Sequence, residues 1–109
     1  MPFALKVLGQ LNPSAATLSS LYTVPLSTSA VVSTITVANR SSVDTVFRIA
    51  VSPGGASIDV KHYIYYDLLA PGNDTFVATI GLTLSAGDIV RVYAEDATLS
   101  FSMFGEEST

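Results

Sequence analysis

The sequence predicts an all-β protein: a single-domain antiparallel β-sandwich of about eight strands, jelly-roll or immunoglobulin-like. Three observations predict it. Apolar and polar residues alternate over short runs, the period of a half-buried strand. Gly, Pro, Asn and Asp punctuate those runs at the spacing of sandwich turns. No convincing 3.6-residue apolar stripe extends beyond two helical turns.

Phe3 to Leu8 sets Phe3, Leu5 and Val7 against Ala4 and Lys6 and reads as a first strand, broken by Asn12-Pro13-Ser14. Thr17 to Val24 is a second, stopped by Pro25, which has no amide hydrogen for a ladder. Ala30 to Ala38 is so rich in Val, Ile and Thr that a helix is disfavoured there. Asn39-Arg40-Ser41-Ser42 forms a turn of residues that bond their own backbone. Thr45 to Ser52 places Phe47, Ile49 and Val51 on one face, and Pro53-Gly54-Gly55 ends it.

Ser57 to Leu69 carries a further strand, in which Ile64 and Tyr66 oppose Tyr63 and Tyr65. Two similar phrases follow. Leu69-Ala70-Pro71-Gly72-Asn73-Asp74 precedes a strand over Thr75 to Ile80, and Leu84-Ser85-Ala86-Gly87-Asp88 precedes one over Ile89 to Ala94. In each, the pattern assigns an inward Leu, a turn Gly and an Asp that starts the next strand. Thr98 to Phe104 is the last strand, and residues 105–109 read as a short polar tail.

One domain accounts for all 109 residues. The absence of cysteine excludes disulfides and thiolate metal sites. A net charge of −4, with Lys6, Arg40, Arg48, Lys61 and Arg91 scattered, argues against nucleic-acid binding. With 49% of residues hydrophobic and only 13% charged, either an ample core or a partner-covered surface is implied. No segment has the roughly 20 apolar residues of a membrane helix, and no secretory leader is legible, so synthesis in a bacterial-type cytoplasm is expected. The Asn39-Arg40-Ser41 and Asn73-Asp74-Thr75 sequons therefore read as turns.

Catalytic chemistry is not written here. His62 is the one histidine, and no Gly-x-Ser-x-Gly elbow accompanies it, so a packed or edge histidine is the reading. Asp44, Asp59, Asp67, Asp74 and Asp88 stand at turns, where carboxylates cap amides; no dense calcium-loop pattern joins them. No metal or other cofactor is expected. Tyr63, Tyr65 and Tyr66 suit an interface, or a glycan platform, because a tyrosine ring is apolar and its hydroxyl seeks a partner. At least one of them belongs in the core if the strand packs on a sandwich. Phe3 and Leu5 complete the candidate interface, within a candidate N-terminal docking strand over residues 1–10 that equally reads as the domain's own first strand.

Leu8-Gly9-Gln10, Leu21-Tyr22-Thr23-Val24-Pro25, Val37-Ala38-Asn39-Arg40-Ser41, Phe47-Arg48-Ile49-Ala50-Val51, Lys61-His62-Tyr63-Ile64-Tyr65-Tyr66-Asp67, Asn73-Asp74-Thr75-Phe76 and Phe104-Gly105 together resemble small virion proteins of tailed bacteriophages, especially those of aquatic hosts. The resemblance implies a non-enzymatic structural role in the virion. It favours a tail baseplate or fibre component, with capsid decoration as the alternative; a carbohydrate-binding module for host recognition is a separate alternative, carried by the tyrosine run. The expected partners are other copies of the chain, in a homotrimer for instance, neighbouring virion proteins, and a host-surface glycan in the recognition reading. No catalytic residue is carried over.

Overall fold

The computed structural model describes residues 3–109, so Met1 and Pro2 of the candidate docking strand lie outside the described residues. Nine strands form among the described residues: β1 (Phe3–Leu11), β2 (Ser19–Thr23), β3 (Ser29–Asn39), β4 (Thr45–Ser52), β5 (Tyr63–Ala70), β6 (Thr75–Ala78), β7 (Leu82–Leu84), β8 (Ile89–Ala94) and β9 (Leu99–Ser108). Two single 3₁₀ turns, Pro53–Gly55 and Val60–His62, are the only helical elements among the described residues.

One sheet runs β1-β9-β3-β6, with β7 also on β3, and the other runs β2-β8-β4-β5. Every pairing is antiparallel. Since β6 and β7 share β3 as partner, they act as one interrupted strand. The first strand then pairs with the last, the second with the next to last, β3 with β6 and β7, and β4 with β5. The chain is one long hairpin, folded back between β4 and β5 and rolled into two layers. That is the jelly-roll order. The sandwich expected from sequence is borne out, and jelly roll is the strand order present.

The core lies between the layers. Phe47 and Ile49 on β4, with Val90 and Val92 on β8, face Ile35 and Val37 on β3 and Leu99, Phe101 and Met103 on β9. Each such side chain contributes about 1.5–3 kcal/mol by leaving water. Phe47 anchors the centre, its ring centroid 5.3 Å from Phe76 and 6.1 Å from Phe101 in tilted and edge-on geometry.

Two bulges shape one end of the first sheet. The register slips between Val7 and Gly9 on β1 and between Val32 and Thr34 on β3, on either side of Phe104 in β9. Each extra residue flips the side-chain parity. Ala30 and Val32 point inward before Ser33, whereas Ile35 and Val37 do so after it. Gly9 and Gly105 sit where the backbones close up. A Cβ on Gly9 would lie 2.4 Å from the Leu21 carbonyl oxygen, and one on Gly105 would lie 2.1 Å from that of Val31.

Four expectations about the fold need correction. The strand expected over Ser57 to Leu69 begins only at Tyr63, after the 3₁₀ turn, and runs to Ala70. Residues 105–109 are not a solvated tail: Gly105 to Ser108 continue β9, paired with β1 on one side and β3 on the other. Glu107 is held there by Lys6 Nζ at 3.1 Å and by the Tyr22 hydroxyl, which donates to its other oxygen. The Leu69 side chain is not inward but 54% exposed, and Ala70 takes the buried place. The strand expected over Thr75 to Ile80 ends at Ala78, and the chain rejoins β3 only at Leu82.

Candidate functional site

Four of the five candidate interface residues fall on two separate surfaces, and the fifth, Tyr65, packs against the core. Phe3 and Leu5 lie on β1, an edge of the first sheet, where they are 65% and 78% exposed. Strand periodicity puts Val7 on the same face, and across β9 it is continued by Phe104 and, on β3, by Val31. Leu5, Val7, Val31, Ser33, Phe104 and Glu106 line an open groove of about 590 Å³ there. The groove lies over the two bulges. A sandwich ordinarily turns its polar side outward; here the outward side is apolar.

On the inward side of the same end, the sequence places charge. Lys6 and Glu107 are diagonal neighbours, since Lys6 pairs with Gly105 and Glu107 with Ala4. The Tyr22 hydrogen bond, and next the Lys6 ammonium, hold the Glu107 carboxyl below the usual carboxylate range. Burial, with Glu107 adding to it, pushes the Tyr22 phenol up. Through this one carboxylate, β2 of one sheet is fastened to β1 and β9 of the other.

Tyr63 and Tyr66 lie on β5, an edge of the second sheet. Simple alternation would separate them, yet their ring centroids are 4.9 Å apart, edge to face. The cause is irregular pairing: Phe47 stands opposite Leu68, Ile49 opposite Tyr65 and Ala50 opposite Tyr63, with Asp67 at a φ of 52°. Arg48 lies over Tyr66 at 4.1 Å and over Tyr93 at 4.5 Å. It also donates to both Asp67 oxygens, at 2.6 and 3.3 Å, and that bond pushes its pKa up. One face each of Tyr66 and Tyr93 is therefore occupied by a guanidinium, a poor start for a sugar platform. Tyr65 leaves the candidate surface. Its ring packs inward against the core, 5.3 Å from Phe76, because the same irregularity turns it there.

His62 is only 8% exposed and ends the 3₁₀ turn, with Nδ1 accepting the Asp59 amide at 3.1 Å. A ring nitrogen spent on its own turn matches the packed histidine read from sequence. Asp44, Asp74 and Asp88 cap amides as expected: Asp44 accepts from Gly72, Asp74 from Thr75, and Asp88 from Gly54 and Ser85, whereas Asp67 is spent on the Arg48 side chain. The two amides on Asp88 hold its carboxyl below the usual range. Among the described residues no group of three or more His, Asp or Glu could hold a metal ion, and no helix is long and apolar enough to cross a membrane.

Sequence reasoning missed Val31 and Phe104 on the apolar face, and Arg48 and Tyr93 beside the tyrosines. Alternation set Val7 with Phe3 and Leu5, but Val31 and Phe104 come to that face only through pairing between distant parts of the chain. No protein-family model, curated protein or solved structure matches the chain.

Proposed function

We propose that this chain is a non-enzymatic structural subunit that builds a bacteriophage virion, as a tail baseplate or fibre component, through contacts between β-domains. One observation carries the assembly half of this reading: the edge strand β1 turns Phe3, Leu5 and Val7 outward. A lone soluble domain gains nothing from such a face, whereas an assembly subunit buries it against a neighbour. The virion half rests on the resemblance of the seven sequence phrases, and capsid decoration is the alternative place in the particle.

Gold-labelled antibody against the chain, applied to intact particles of its source phage and viewed by electron microscopy, tests the reading. Label at the tail tip is the expected result. Label spread over the head moves the subunit to capsid decoration. Absence of label, with the protein also missing from disrupted particles, overturns the virion reading.

A further inference from the structure

The β1 edge carries a pattern that names its own partner. Natural edge strands are guarded by charge, proline or brevity. Here β1 is nine residues long, and its outer edge pairs with no strand among the described residues. Its single charge, Lys6, is tied inward to Glu107. The regular segment before the bulge is Phe3-Ala4-Leu5-Lys6-Val7.

We propose that this edge pairs with the same edge of a second copy of the chain, antiparallel and two-fold, with Leu5 facing Leu5 on the axis. The proposal rests on the assembly reading above and supplies its first partner. Register decides the axis. Centred on Leu5, Phe3 meets Val7 of the second copy, so the outward apolar stripe runs unbroken across the junction. Lys6 then stands opposite Ala4. Centred on Lys6, two ammonium groups would face each other, which is destabilising. Centred on Ala4, Lys6 would face Pro2, which has no amide hydrogen for the ladder.

Charge favours the Leu5 register a second time. Ala4 pairs with Glu107 on β9. Lys6 of the second copy, lying opposite Ala4, therefore enters the row Lys6–Ala4–Glu107. Two strand spacings separate its ends, about 10 Å, which a lysine and a glutamate bridge over the small alanine. Glu107 then sits between its own Lys6 and that of the second copy. The main-chain ladder supplies attraction, while the apolar stripe and this charge row fix register. The contact is isologous and closes at two copies, so a three-fold arrangement has to use another face.

The test uses the full chain, which has no cysteine of its own. Leu5→Cys places two thiols across the axis, and Val43→Cys, on an exposed turn, is the control. Mild oxidation is expected to crosslink Leu5→Cys into a dimer well ahead of Val43→Cys. Sedimentation of the unmodified chain up to about 1 mM should show a monomer–dimer equilibrium. Leu5→Lys and Leu5→Glu should each weaken it about tenfold or more, and mixing the two should restore it. Circular dichroism confirms that each variant stays folded. A chain monomeric throughout, or a dimer indifferent to Leu5→Lys and not crosslinked through Leu5→Cys, overturns the proposal. Particle labelling keeps the two readings apart: a monomer present in virions defeats only this pairing, and a dimer absent from virions defeats only the virion reading.

Discussion

A single carboxylate, Glu107, does more for the end of the sandwich than its position five residues beyond Ser102 suggests. It accepts from Tyr22 and Lys6, which belong to different sheets. Its folded pKa is depressed, so it adds stability that is fully present above the ordinary glutamate value of about 4.3 and fades as pH falls through the lowered value. Glu107→Gln should therefore cost about 1–2 kcal/mol at pH 7 and progressively less toward pH 3, as wild-type Glu107 itself becomes protonated. Urea unfolding of both proteins across that range reads the difference. A gap that stays constant with pH would show that the carboxylate charge contributes nothing. Tyr22→Phe removes the main cause of the shift and should narrow the same gap.

At the scale of elements, the bulges of β1 and β3 explain both the shape of the apolar face and the limits of reading it from sequence. Two bulges flanking Phe104 crowd the backbone so closely that Gly105 has no room for a Cβ. Gly105→Ala should cost about 2–3 kcal/mol, while Gly81→Ala, which meets nothing within 4 Å, should change stability by less than about 0.5 kcal/mol. Thermal unfolding of the pair distinguishes a steric demand from a general dislike of losing glycine. The strands themselves were legible: β4 was bounded to the residue, since Pro53 ends it and Phe47-x-Ile49 marks its buried face. Tyr65 and Leu69 were misplaced for different reasons. Alternation could not say which tyrosines of β5 face the core, because β5 slips twice against β4. The inward Leu69 rested on its likeness to the Leu84 phrase rather than on alternation. The face joining Phe3 and Leu5 to Val31 and Phe104 was likewise hidden, because it depends on which distant strands pair.

For the whole molecule, the nested pairing makes the two ends of the chain one structural unit. Among the described residues β1 leans on β9 and on no other strand within its sheet, and β9 is the bridge from β1 to β3. Most of what holds β1 therefore comes from residues almost a whole chain length away, and closing so long a loop precedes any return from the contact. Folding should accordingly be slow for a domain of this size, in the millisecond to second range of all-β proteins. Deleting Gly105 to Thr109 offers the sharper test. A polar tail could be removed at no cost. Here the deletion takes the partners of Phe3 to Lys6 and of Ser29 to Val32, together with the carboxylate that joins the sheets. The expected outcome is a large fall in stability, with amide exchange in residues 3–7 rising to that of free chain while the β4 and β8 amides stay protected. It should also abolish the edge on which a second copy is proposed to dock, so the shortened chain should sediment as a monomer at every concentration. Protection in β1 unchanged by the deletion would mean that this strand is held by something other than β9.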